Sequence, residues 1–449
     1  MTASSRPPNV LWIFCDQLRW HALGSSGDPN IRTPHIDRIG AEGARCTLAC
    51  SQYPVCTPFR AGLITGQHGH ITGVRVHGDL LDPSRRTIAH TFRAGGYRTA
   101  WIGKWHLASV QGAEGWRSGG DYWVHPLLRG GFEDFAGFDA SNHAWNTRYC
   151  TGDRIYPPIP LPGYQTDGLT ELSLDWLDQH GRGDRPWFHC LSVEAPHPLT
   201  DHDGSYGHPT PPEWRTFIPG ALTLRGNVPA KDQAAAREKL SGYYAQIANL
   251  DHNVGRLLAW LDASGQAERT LVVFFADHGE MGYSHGRIEK MSIFDESIRI
   301  PLLWRLPGSL PAGTVVDCPI NGLDLFPTTA ALCSLPIPPE VQGRDLSAVL
   351  AGDPRDAPHE TLIQWLGPAR YGFADFRFRA IRTRRFTYCR GDPAEHDLLW
   401  DNERDPLQST NAFNDPGYAD ERRDLQRRLE SAVLRSGEAL PGFVTAERT

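Results

Sequence analysis

The stretch Asn9–Asp16, NVLWIFCD, is an unbroken apolar run closed by a carboxylate. An amphipathic helix would interrupt such a run every few residues, and a strand with one wet face would alternate. An uninterrupted run of this length predicts a strand buried on both faces, as in a parallel sheet. Working outward, three other stretches repeat the pattern: TAWIGKWH (Thr99–His106), PWFHCLSVEAPH (Pro186–His197) and TLVVFFADHG (Thr270–Gly279). Helical patterns lie between them. The clearest places Leu240, Tyr243, Tyr244, Ile247, Leu250, Val254, Leu257, Leu258 and Leu261 on one face. This alternation predicts an α/β fold with a large central, mostly parallel or mixed sheet flanked by helices. After about Pro358 the character changes. FRFRAIRTRRFTYCR alternates like antiparallel strands, and ERRDLQRRLESAVL reads as an amphipathic helix. The expected division is a catalytic α/β domain over 1–358 and a smaller α+β subdomain with an antiparallel sheet over 359–449. The proline-rich YPPIPLPG (Tyr156–Gly163) and SLPIPPEVQG (Ser334–Gly343) read as loops.

Each buried run ends in polar residues. Ligands of such sheets bind beyond the carboxyl ends of the strands. Asp16, Lys104 with His106, His197, and Asp277 with His278 are therefore predicted to meet at one edge. A single strand-end aspartate is commonly a cap or turn residue, and a lone histidine a structural one. Agreement among four distant segments favours a site.

Composition narrows the function. The chain has 449 residues, 40% hydrophobic content and a net charge of −7. That balance speaks against nucleic acid as a partner. No stretch has the length of a transmembrane helix, and the opening MTASSRPPNVLWIFCDQ does not read as a secretory leader. A cytoplasmic protein without a membrane partner is the expectation. Nine cysteines, scattered without a disulfide framework, point to reduced thiols.

One motif stands apart: YPVCTPFRAGL, Tyr53–Leu63, with Cys56-x-Pro58-x-Arg60. Cys56 reads in three ways. It is a small buried apolar residue, a ligand of a cluster with Cys46 and Cys50, or a nucleophile activated by its neighbours. The cluster lacks a fourth soft ligand at zinc-site spacing.

The motif, with Thr65-Gly66 downstream, resembles the signature of the formylglycine-dependent sulfatases of the alkaline phosphatase superfamily. GKWH (Gly103–His106), APHP (Ala195–Pro198), DHGE (Asp277–Glu280), KMSIFDESIRIPLL from Lys290 and LLWDNERDPLQSTNAFNDP from Leu398 are similar to that family's further motifs, in its order and over nearly the whole chain. The resemblance implies an alkaline-phosphatase-like fold. It implies that a formylglycine-generating enzyme, reading Pro58 and Arg60, oxidises Cys56 to Cα-formylglycine. The hydrated aldehyde carries two hydroxyls. One attacks sulfur and expels the alcohol; deprotonating the other releases sulfate and restores the aldehyde. The resemblance further implies one divalent metal held by Asp16, Gln17, Asp277 and His278 beside residue 56. Oxygen ligands favour Ca2+, with Mg2+ or Mn2+ as alternatives. Arg60 would steady the hydrate, and Lys104 and Lys290 would pair with the non-bridging sulfate oxygens. His106 would take the second hydroxyl's proton, and His197 would protonate the leaving alcohol. The implied substrate is a small aryl, alkyl or carbohydrate sulfate, and a homo-oligomer is compatible with the sequence.

Two positions depart from the family pattern. Asp16-Gln17 and Asp277-His278 stand where many members carry two adjacent aspartates and Asp-Asn. The site loses one formal negative charge, which keeps open a phosphonate monoester or phosphodiester hydrolase. A non-catalytic anion-binding homologue and a transferase that uses an alcohol as acceptor are the other rivals. His285 reads as structural or substrate-adjacent. The histidine-rich HGHITGVRVHGD (His68–Asp79) and HPLTDHDGSYGHP (His197–Pro209) read equally as walls of the leaving-group pocket or as solvated loops.

Overall fold

The computed structural model describes residues 6–108, 124–367 and 376–445. A ten-stranded mixed sheet organises the molecule. From edge to edge its strands are Thr314–Val316, Ala44–Cys46, Leu302–Arg305, Thr270–Ala276, Asn9–Asp16, Trp187–Pro196, Arg98–Lys104, Asp134–Phe138, Arg148–Thr151 and Arg154–Pro160. The Thr270, Asn9, Trp187, Arg98 and Asp134 strands run parallel to their neighbours at the centre, and antiparallel pairs extend the sheet on both sides. The apolar runs are buried throughout, as their composition predicts. Trp12 stands edge-on to Phe188 at 5.0 Å and to Phe275 at 5.2 Å, locking three neighbouring strands. Each such aromatic pair adds about 1 kcal/mol beyond its buried area.

The long helix Gln233–Ala263 covers one face and buries every residue of its predicted apolar stripe. A four-stranded antiparallel sheet follows in the C-terminal part: Glu360–Trp365, Arg377–Thr383, Phe386–Asp392 and Leu398–Asp401. The amphipathic helix Ala419–Arg435 lies on it through Leu425, Leu429 and Val433. Its other face shares a core with the segment before Cys56. Tyr53 packs on Trp365 at 5.4 Å, and Val55, Ile298 and Phe378 join the same cluster.

One expectation needs correction. The proline-rich stretch from Tyr156 does not loop out entirely; Arg154–Pro160 forms the edge strand of the large sheet. An edge strand is where a missing N–H is tolerated. All nine cysteines are unpaired and buried. Among the described residues no helix is long and apolar enough to cross a membrane.

Candidate active site

Parallel register brings the site together. Cys15 pairs with Ala276 on one side and Val193 on the other, so Asp16 and Asp277 leave the sheet side by side. The Gln17 N–H donates to Asp277 Oδ1 at 3.0 Å, closing the two strand ends. Lys104 ends the strand Arg98–Lys104, which lies beyond Trp187–Pro196. Gly103 before it has φ +103, and a Cβ there would lie 2.0 Å from the Ser192 carbonyl oxygen. Only glycine lets these strands approach so closely.

Cys56 is the first residue of the helix Cys56–Thr65, which is buried along its whole length. Pro58 sits in the first turn, where its missing N–H has no intrahelical partner to lose. Gly66 ends the helix at φ 68, its N–H donating to the Gly62 carbonyl. Arg60 lies one turn beyond Cys56 and so on the same face. Its Nη1 donates to the Lys104 carbonyl and to Ser192 Oγ, both at 2.9 Å. Its Nη2 lies 3.3 Å from Asp16 Oδ2 and 3.7 Å from Asp277 Oδ2. The guanidinium rests on the Phe14 ring at 4.4 Å. Arg60 thus ties the helix to three strand ends and orients Asp16.

The Cys56 sulfur is 3.3 Å from Asp16 Oδ1 and 3.1 Å from His278 Nε2. One ligand atom from each of Asp16, Cys56, Asp277 and His278 falls within 4.8 Å of the others. Three features suit this group to a cation. His278 Nδ1 donates to the Gly279 carbonyl at 3.1 Å, leaving the Nε2 lone pair facing the cluster. Asp277 Oδ2 is buried without a hydrogen-bond donor. Burial foremost, then the charge of Asp16, pushes Asp277 up to about 7, as expected of two carboxylates sharing one buried site. Burial also works against ionisation of Asp16, but Lys104 foremost among its neighbours holds that carboxyl well below the usual range.

Cations ring the cluster. Lys104 Nζ is 2.9 Å from Asp16 Oδ2 and 3.1 Å from Glu194 Oε1. Lys290 Nζ donates to Gln17 Oε1 at 2.6 Å. The Gln17 amide nitrogen donates to Glu280 and Glu289, so this side chain bridges Lys290 to two carboxylates. His197 Nδ1 donates to the Pro198 carbonyl at 2.7 Å. His106 and Gln17 are both buried and both have left-handed backbone, at φ 61 and φ 65. Left-handed backbone at residues with a Cβ persists only where the surroundings over-determine it, and such strain gathers at functional sites. Burial pushes His106, His197 and His278 well below the usual histidine range, with Lys104 next for His106 and Lys290 next for the other two.

The structure adds two residues. Glu194 is fully buried and accepts from Gln165 Nε2 at 2.7 Å and from the Asn142 N–H at 3.0 Å. A glutamate inside the apolar run SVEAPH was its signal in the sequence. His77, within the histidine-rich stretch 68–79, stacks on His106. His285 stacks instead on Phe294 at 3.9 Å and meets Asn227, which fits its structural reading. Cys46 and Cys50 lie in two separate cores, and neither joins the metal-type group.

With this geometry in place, the class is clear: an alkaline-phosphatase-like α/β fold whose catalytic edge collects a strand-end carboxylate pair and a helix-borne cysteine. A solved structure of Bacteroides thetaiotaomicron, from a locus for glycosaminoglycan metabolism, superimposes with TM-score 0.84 at 23% identity over 98% of each chain. The phosphonate monoester hydrolase of Agrobacterium radiobacter gives TM-score 0.75 at 23% identity over 96% of each. The sulfatase family profile matches residues 8–335, and the profile for the N-sulphoglucosamine sulphohydrolase C-terminal region matches 282–435. The chain is 33% identical over 441 residues to the ulvan-active sulfatase of Formosa agariphila, covering 96% of this chain and 82% of that protein. It is 29% identical to human arylsulfatase A, covering 91% and 84%. The chain belongs to the sulfatase family and is by class a sulfuric ester hydrolase.

Proposed function

We propose that this protein hydrolyses sulfate monoesters, with residue 56 working as Cα-formylglycine made from Cys56 and one divalent cation, Ca2+ foremost, held by Asp16, Asp277 and His278. The observation that carries the reading is the seat of Cys56, between Asp16 and His278 inside a ring of three cations. Burial and then Asp16 push its thiol well above the usual range. When present, the cation supplies positive charge beside residue 56, and the aldehyde hydrate supplies one hydroxyl to attack and a second through which sulfate leaves.

The remaining work falls to this chain's side chains. Burial works against the charge of Lys104, but Asp16 and Glu194 keep it protonated. The acidic groups around Lys290 do the same. Both ammonium groups are thereby set to hold the non-bridging sulfate oxygens through the transition state. His106 stays neutral and receives the proton of the second hydroxyl. His197, with Nδ1 committed to Pro198, presents Nε2. A seated sulfate anion would raise its basicity, the direction that a proton donor to the leaving oxygen requires. Overall, water adds, the sulfur–oxygen bond breaks, and sulfate and an alcohol are released.

The test uses protein whose 53–60 peptide carries the formylglycine mass. It compares kcat/KM for matched aryl sulfate, phosphate monoester, phosphodiester and phosphonate monoester. The aryl sulfate should rank first. A phosphonate or phosphodiester turned over faster than the sulfate would move the protein to the neighbouring branch of the superfamily.

A further inference from the structure

Beside the catalytic edge lies an open cleft of about 620 Å³. It begins where the machinery ends. Pro198 follows His197, Glu289 precedes Lys290, and both residues line it. Its wall is the short hairpin of Leu199–Thr200 with Tyr206–Gly207, the stretch that the sequence left as either pocket wall or solvated loop. Two large apolar side chains of the lining stand open to solvent, Tyr206 at 57% and Ile288 at 47%. Tyr206 lines the cleft together with Glu289, whose carboxylate lies 3.7 Å from Lys290 Nζ and accepts from Gln17 at 3.1 Å. The cleft that Tyr206 lines therefore opens beside His197 and Lys290, through their neighbours Pro198 and Glu289.

Much of the remaining lining is polar and charged. Asp201, Glu238 and Glu289 supply carboxylates against the cations Lys239 and Arg215. Lys239 already lies 3.6 Å from Glu280 and 3.9 Å from Glu289. A sterol or long alkyl alcohol would strip water from these charges without replacing its hydrogen bonds. A ring with one apolar face and a rim of hydroxyls satisfies both sides, stacking on Tyr206 and donating to the carboxylates. A second anionic group on that ring would meet three carboxylates against two cations.

We infer that this cleft is the leaving-group subsite and that it takes a pyranose ring, bearing no anion other than the reacting sulfate, with Tyr206 as its stacking platform. The inference rests on the sulfatase reading above and names the alcohol for it. Carbohydrate specificity is then local to the 197–209 hairpin and the start of the Gln233–Ala263 helix, away from the residues that handle sulfate.

The experiment uses full-length protein with residue 56 modified and three Tyr206 forms: wild type, Tyr206→Phe and Tyr206→Ala. The probes are a monosulfated methyl pyranoside, the matching sulfated uronate, and trifluoroethyl sulfate, which has no ring. Tyr206→Ala should lose about tenfold in kcat/KM on the pyranoside, the size of one stacking contact, and stay within about threefold on trifluoroethyl sulfate. Tyr206→Phe should keep the pyranoside rate, and wild type should prefer the pyranoside to the uronate. Trifluoroethyl sulfate also reports folding, because it needs only the sulfate-handling groups. Equal losses on both sulfates, no loss on either, or a preference for the uronate would overturn the subsite while leaving the reaction standing. No sulfate released from any ester would remove the reaction, and the subsite with it.

Discussion

His77 lies flat on His106, with ring centres 5.1 Å apart and planes 12° apart. His77 Nδ1 is 3.2 Å from the hydroxyl of Thr57, the neighbour of Cys56. The imidazole proposed as proton acceptor is thus backed by a second ring tied to the helix that begins at Cys56. Removing that ring should loosen His106 more than it weakens substrate binding. His77→Ala is expected to lower kcat about tenfold with KM little changed, and His77→Phe to recover part of the loss by restoring a stacked plane. A fall in kcat/KM that comes from KM alone would contradict this role.

Cys56 should carry the formylglycine mass in every active preparation. Cys56→Ser should retain at most a trace of turnover, because a serine hydroxyl has no second oxygen through which to release sulfate. Peptide mass spectrometry across 53–60, read against specific activity, checks this. Full activity in protein bearing only the thiol would refute it.

Metal and rate should fall together in Asp16→Asn and Asp277→Asn, since each removes a carboxylate from a group whose ligand atoms lie within 4.8 Å of one another. Elemental analysis after gel filtration is the measurement. Variants that keep about one ion per chain would contradict the ligand set. Gln17→Ala should instead keep its metal and lose rate, because its amide oxygen accepts from Lys290.

Leaving-group dependence separates the two histidines. His197→Ala should slow esters of poorly acidic alcohols by about a hundredfold or more and activated aryl sulfates far less, as expected of a general acid. His106→Ala should slow both to a similar degree. A uniform loss on all esters for His197→Ala would remove its assignment.

Asp251 offers a test of stability rather than activity. Its buried carboxyl accepts from the N–H groups of His35 and Ile36 at the start of the helix Pro34–Ala41. Burial pushes it up to about 7, against about 3.9 in an unfolded chain. The folded state therefore binds the extra proton, and stability falls as pH rises. The contribution is whole below about pH 4 and is lost through pH 7. Asp251→Asn stays neutral and can still accept both bonds. Its Tm relative to wild type should climb between pH 5 and pH 8. A difference that is flat with pH would show that Asp251 does not titrate in this window.

The amino-acid sequence alone determined the sheet and the edge on which chemistry would gather. Apolar runs such as Asn9–Cys15 have one stable home, a strand covered on both faces, and parallel neighbours must place their carboxyl ends together. It also marked Cys56-x-Pro58-x-Arg60 as one motif, whereas the helix Cys56–Thr65 that puts Cys56 and Arg60 on one face is a structural result. Tertiary structure decided the rest. Glu194 and Lys104 are 90 residues apart and meet only because their strands are adjacent and Gly103 allows the close approach. His77 reaches His106, Gln17 turns to Lys290, and Tyr206 lines the cleft through loops that carry no periodicity. Local pattern reports which face of an element is buried. Which side chains then meet depends on register, on backbone bends and on the direction of loops, and those are set by packing between segments far apart in the chain.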